Sequence, residues 1–267
     1  MRSAYRAWGL AWLGLVLAVV LVPQVLLAAK TTAAQPDPAD AVDLFQAIDK
    51  GQVDVKVIPK DSSQLRVMIE NKTDKPLTVK LPDAFAAVPI LAQNAAPARN
   101  NNNKNNNQNQ GVGGGMGMGG MGMGGMGMGG MGMGGGMMNI APEKVGQLKA
   151  VATVCLDYGK GEPRAAIPYV IKPIDDYTTQ PGVREVCEML GKGQVNQRVA
   201  QVCAWHLNNG LSWEKLASKQ LRFADGSTRP YFTPQEIQAA MRVSAVAVQA
   251  ANQRGQQKSA STLSQQN

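Results

Sequence analysis

"VDVKVIPK", residues Val53–Lys60, places Val53, Val55 and Val57 on one side of an extended chain, with Asp54 and Lys56 on the other. Successive side chains of a strand point to opposite faces, so apolar–polar alternation of period two marks a strand with one buried face. Working outward, "QLRVMIEN" (Gln64–Asn71) repeats the pattern with Leu65, Val67 and Ile69, and "LTVKL" (Leu77–Leu81) repeats it with Leu77, Val79 and Leu81. The connections "KDSS" and "NKTDKP" are rich in residues that turn the chain, because Asp, Asn and Ser bond their own backbone and Pro presets φ. Three such runs joined by short turns predict antiparallel strands. Upstream, "DAVDLFQAID" spaces Val42, Leu44 or Phe45, and Ile48 at helical intervals and ends at Gly51, which predicts one short leading helix.

Beyond Leu91 the composition changes. "RNNNNKNNNQNQ" (Arg99–Gln110) runs into a Gly-Met tract with a five-residue period from Met116 to Met133. Between Gly111 and Met138 stand ten of the fourteen methionines, among seventeen glycines and one valine, which leaves little to offset the entropy of ordering them. Residues 93–138 are therefore expected to be a disordered loop. Alternation resumes with Leu148, Ala150, Ala152, Val154 and Leu156, one further predicted strand. The economical architecture is α+β: a small antiparallel, Ig-like β-sandwich from residues 35–92 and 139–175, interrupted by the long loop. Closing such a loop is tolerable, since each doubling of its length costs only about 0.6 kcal/mol. The rival arrangement makes the tract a linker between two domains.

A helical region is expected over 176–255. "GVREVCEML" places Val183, Val186, Cys187 and Leu190 on one stripe, and "VNQRVAQVCAWHLNNG" does the same with Val195, Val199, Val202, Cys203 and His206 or Leu207 before a C-terminal Gly210. "SWEKLASKQL" predicts a short third helix. In "TPQEIQAAMRVSAVAVQAANQRG", Thr233 is an N-cap, Pro234 opens the helix and Glu236 completes a capping box, with a predicted end near Asn252. The polar tail 256–267 is expected to fray.

Export is the expectation for the N-terminus, residues 1–34. Arg2 and Arg6 precede an apolar run from Ala7 to Val22, and Thr32 and Ala34 stand at −3 and −1 of a cut before Gln35, the pattern of a signal peptide. An uncleaved anchor is the alternative, and a membrane partner enters only through it. The protein is thus expected in the periplasm, in the envelope or outside the cell. Removing residues 1–34 lowers the net charge from +8 to +5. A thin excess of this kind suits an anionic envelope surface or an unknown envelope or extracellular protein. Nucleic-acid binding needs a clustered basic stripe with interleaved aromatics, and the sequence has neither.

Thioether sulfur is a soft ligand for Cu(I) or Ag(I) and needs no deprotonation, so Met116, Met118, Met121, Met123, Met126, Met128, Met131 and Met133 are candidate ligands. The tract also resembles the Gly-Gly-Met tails of bacterial chaperonins, a resemblance confined to these residues that implies a flexible, mildly apolar segment. Cys187 and Cys203 lie on the apolar stripes of consecutive helices, where a disulfide would close a short loop, and His206 would be a third corner of a metal site. Cys155 is either a packed residue or the odd free thiol. A Cys–His nucleophilic pair would have to use His206, the single histidine, and the adjacent Asp175 and Asp176 have no partner spacing that selects a catalytic pair. The expected function is that of a non-catalytic binding or scaffolding protein without a cofactor. Soft-metal buffering by the methionine tract is the alternative.

Overall fold

Strand β2 (Val53–Pro59) and strand β3 (Gln64–Asn71) pair antiparallel in the computed structural model, which describes residues 41–90, 110–116 and 136–264. Their alternating valines, leucine and isoleucine all face inward: Val53, Val57, Leu65, Val67 and Ile69 are buried. The leading helix is present as α1 (Leu44–Asp49), capped by the Asp43 carboxylate, which accepts from the Phe45 and Gln46 N–H groups. Two residues ahead of it, β1 (Val42–Asp43) lies parallel to β4 (Leu77–Lys80), and β4 pairs with β7 (Met137–Ile140) in a small separate sheet. Asn71, fully buried, ties this sheet to the end of β3: its Nδ2 donates to the Lys75 and Ile140 carbonyls while its Oδ1 accepts from Thr73.

The α+β class holds, but the main sheet is a closed six-stranded antiparallel barrel rather than an Ig-like sandwich. Its order is β2, β3, β8 (Val145–Cys155), β6 (Val112–Gly114), β5 (Phe85–Pro89) and β9 (Tyr169–Pro173), and β9 returns to β2 through Val57 and Tyr169. The closing strands escaped the sequence reading for a physical reason. With helices over part of the barrel, Phe85, Ala86 and Ala87 are buried on both faces and show no alternation, and β6 is glycine on two of its three positions. Closure also leaves no open edge in this sheet.

Both ends of the Gly-Met tract belong to the fold, which corrects the expected disorder at residues 110–116 and 136–138. A side chain at Gly113 would strike the Cys187 sulfur and Leu156, and one at Gly115 would strike the backbone carbonyls of Asp83 and Cys187. These glycines are required for close approach, not for flexibility. The chain leaves the barrel at Met116, whose N–H donates to Pro82, and re-enters at Gly136, whose carbonyl accepts from Leu81. A Cβ at Gly136 would lie 2.7 Å from the Met116 carbonyl oxygen, so the two ends of the tract adjoin.

Strand β8 carries a register shift. Leu65 faces Val151 whereas Val67 faces Leu148, so three residues of β8 answer two of β3. The shift reverses the expected phase: Ala150 is exposed, and Val151, Thr153 and Cys155 take the barrel side. Val154, paired with Gly113, faces the helices. Helices α2 (Val183–Gly191) and α3 (Gln197–Asn209) lie over β8, and α5 (Pro234–Ser264) lies across both of them. The Gly210 C-cap, left-handed at φ 65°, and the Thr233–Glu236 capping box form as expected. Helix α4 (Trp213–Ala217) is shorter than predicted, and a hairpin of β10 (Gln220–Arg222) and β11 (Thr228–Pro230) follows it. Helix α5 continues past Asn252 to Ser264, where a frayed tail was expected. Residues 1–34, where a signal peptide was expected, lie outside the described residues, among which no helix is long and apolar enough to cross a membrane.

Beyond Ala152 strand β3 no longer accompanies β8, and α3 takes over. Thr153 N–H donates to Ser63, Gln197 Nε2 donates to the Thr153 carbonyl, and Gln201 grips the Cys155 peptide from both sides, its Oε1 accepting from the N–H at 2.8 Å and its Nε2 donating to the carbonyl at 2.9 Å. Replacing Gln201 by Ala strands two buried backbone groups at about 1–3 kcal/mol each, whereas Gln197→Ala strands one. Urea denaturation should therefore show Gln201→Ala as the more destabilised by about 1–3 kcal/mol. Gly115→Ala, forced against two backbone carbonyls, should lose about 1–3 kcal/mol by the same assay.

Candidate functional site

Where β8 ends, a cleft of about 240 Å³ opens between the barrel rim, α3 and the α4–β10 turn. Its floor holds Cys155, Gln110 and Gln201, and its walls carry Tyr158, Trp205 and Tyr231. The helical period of α3 puts Gln201 and Trp205 one turn apart, so the residue that clamps β8 also positions the indole. Tyr158 meets Trp205 edge to face at 5.1 Å, and Tyr231 and Phe232 each approach the indole at 5.8 Å. Arg198 holds this aromatic corner from outside, pairing with Glu236, donating to the Tyr231 carbonyl and lying 5.3 Å from the Phe232 ring centre.

The Lys219 ammonium sits among the three walls. Its nitrogen is 5.0 Å from the centres of the Tyr158 and Tyr231 rings and 5.6 Å from that of Trp205. The negative faces of aromatic rings attract a cation at such distances. Two polar atoms of the lining residues are buried with no hydrogen-bond partner among the described residues, the Trp205 Nε1 donor and the Gln110 Oε1 acceptor. Sequence reasoning missed this site because Tyr158, Trp205, Lys219 and Tyr231 come from separate segments with no shared spacing. The one signal was scarcity: aromatics make up 5% of the chain, yet four of them converge here.

The residues singled out from the sequence are placed differently. Met116 is buried in the core rather than offered to a metal, and Met118, Met121, Met123, Met126, Met128, Met131 and Met133 lie outside the described residues. Cys187 and Cys203 are free thiols, not a disulfide. Their helices are adjacent, but Cys187 packs toward Gly113 of β6 and Cys203 donates toward the Ala240 carbonyl of α5, so their stripes serve different neighbours. His206 does not join them in a metal site: its Nδ1 meets the Leu211 carbonyl at 2.7 Å and its ring stacks on Trp213 at 3.7 Å. Among the described residues no group of three His, Cys, Asp or Glu side chains is placed to hold a metal ion. Asp175 pairs with Arg184 and Arg254, an ion-paired structural acid, and Asp176 occupies a one-turn 3-10 helix.

Burial pushes every thiol up. Cys155 rises from 9.0 to about 12, with the carboxylates of Glu162, Asp157 and Asp61 adding to the effect. Cys187 also rises to about 12, and Cys203 to about 11. A neutral thiol is a poor nucleophile, so these sites disfavour thiolate chemistry at neutral pH. Comparison with family models, curated proteins and solved structures gave no match, and the functional argument rests on these residues alone.

At pH 8, iodoacetamide should label none of the three thiols in the native chain and all of them in guanidinium, as read by intact mass. The raised folded values also fix the sign of the alkaline response. The unfolded chain gives up its thiol protons first as pH passes 9, so stability held below pH 9 falls progressively toward pH 12. Denaturation midpoints at pH 8, 10 and 11 should decline in that order, and less steeply in the triple Cys→Ala variant.

Proposed function

We propose that the chain is an exported, non-catalytic binding or scaffolding protein of the cell envelope or extracellular space, with the aromatic cleft at the barrel rim as its recognition site. The cleft carries this reading. A concave site with aromatic walls and a few convergent polar groups is the usual form of a binding pocket, and here two of those polar groups are buried without partners among the described residues. The raised thiols and the His206 ring held by Leu211 support recognition over nucleophilic catalysis. The leader-like N-terminus and the thin positive excess support an envelope setting.

Soft-metal buffering by the methionine tract is the second reading, favoured by one observation. The tract leaves and returns at adjoining points, Met116 and Gly136, so the two ends of the methionine-bearing segment are held together. Closure reduces the entropy to be lost when several thioethers gather on one ion.

Two variants of the full chain separate the readings: Tyr231→Ala, which opens the cleft, and deletion of residues 117–135, which removes the tract between its adjoining ends. On fractionation of exporting cells, the recognition reading expects Tyr231→Ala to leave the envelope fraction and the deletion to remain in it. Competitive Cu(I) titration should then give the same weak uptake with and without the tract. Stoichiometric Cu(I) binding lost on deletion, with Tyr231→Ala still retained in the envelope, would replace the first reading by the second.

A further inference from the structure

Lys219 stands in the turn between α4 and β10, half-buried, with its stem passing into the cleft while its neighbours Ser218 and Gln220 are exposed. Three ring faces surround the ammonium at 5.0 to 5.6 Å, in a cleft that Glu162 also lines. Such cages recognise alkylammonium groups. The chain supplies its own occupant from a turn whose backbone is held on both sides, the Lys219 N–H donating to the Leu216 carbonyl at 3.4 Å and the Tyr231 N–H to the Lys219 carbonyl at 2.7 Å. Both bonds use the lysine backbone, and neither uses the side chain.

Two residues that line the cleft carry buried polar atoms with unmet hydrogen-bonding capacity. Trp205 is 7% exposed and Gln110 4%, yet the indole Nε1–H and the amide Oε1 have no partners among the described residues. A buried donor or acceptor left unpaired is costly, and these two ask for complementary groups: a carbonyl oxygen for Trp205 and an N–H for Gln110. A peptide unit carries both. A lysine residue carries them beside an alkylammonium group, which is what the three rings attract.

We infer that the cleft is a receptor for a lysine side chain of a peptide ligand, and that Lys219 occupies it in cis until such a ligand displaces it. This deepens the recognition reading and rests on it. The internal lysine lowers apparent affinity by the fraction of time it fills the cage, since only the open state binds. Lys219 thereby sets a threshold: weak encounters fail to displace it, and ligands that also satisfy Trp205 and Gln110 succeed.

The test titrates Nα-acetyl-lysine N-methylamide, and its norleucine counterpart lacking the ammonium, into the full chain by calorimetry. The proteins are the unaltered chain, Lys219→Ala and Lys219→Met. Lys219→Ala empties the cage and should bind the lysine probe at least about tenfold more tightly than the unaltered chain. Lys219→Met keeps the cage filled by an uncharged chain and should show no such gain. The norleucine probe should bind Lys219→Ala at least about tenfold more weakly than the lysine probe. Equal affinity of the two probes keeps the cleft as a binding site and overturns the cation assignment. An unchanged affinity on Lys219→Ala overturns the displacement. Absence of saturable binding of either probe to all three proteins, each showing the native circular dichroism, overturns the inference, while the recognition reading is judged separately by retention of Tyr231→Ala in the envelope.

Discussion

Strand β8 outruns the neighbour it pairs with, and the way its last peptide groups are satisfied organises the rest of the molecule. Past Ala152 one side of β8 would present bare N–H and C=O groups inside the protein. Two glutamines one helical turn apart on α3 meet them, Gln197 at Thr153 and Gln201 at Cys155. The Gln201 amide presents the donor and acceptor that another strand would have offered. This fixes α3 against the barrel in both position and rotation. The rotation in turn directs Trp205, one turn further on, toward the rim where Tyr158 and Tyr231 meet it.

Glycine provides the complementary constraint on the other side of β8. Strand β6 is threaded between β5 and β8 while α2 lies close outside it, and only a chain without side chains fits between Leu156 and the Cys187 sulfur at Gly113. Gly115 and Gly191 of α2 are in similar backbone-to-backbone proximity. At its two ends, the tract that reads as low complexity has glycines with a packing role. They let a strand and a helix approach, and they close the barrel; the repeat itself lies outside the described residues.

The cleft arises where these two arrangements meet, and its lining supports the proposed recognition role. Aromatic faces, a cation and unpaired amide and indole groups are directional without being reactive, and the thiol on the floor is held neutral by burial. In a binding site this combination favours a ligand that brings its own charge and its own peptide-like donor and acceptor. It does not require a proton to move.

Elements with a local signature were legible in the sequence. The alternation in Val53–Pro59 and Gln64–Asn71, the helical stripes of Val183–Gly191 and Gln197–Asn209, the Gly210 C-cap and the Thr233–Glu236 capping box each depend on spacing within one segment, and each is present. Strands Phe85–Pro89, Val112–Gly114 and Tyr169–Pro173 exist because neighbours on both sides pair with them, so no local pattern announces them. The phase of Val145–Cys155 is likewise decided by a register shift against Leu65 and Val67, which turns Cys155 toward the barrel. The cysteines were visible as residues but not as a relationship, because whether Cys187 and Cys203 face each other depends on which element each helix stripe covers. Sequence by itself determined the mixed class, those segments of regular structure that carry a local signature, and the residue types available for chemistry. Tertiary structure alone decided barrel closure and the assembly of Tyr158, Trp205, Lys219 and Tyr231, since their meeting depends on long-range pairing rather than on any periodicity along the chain.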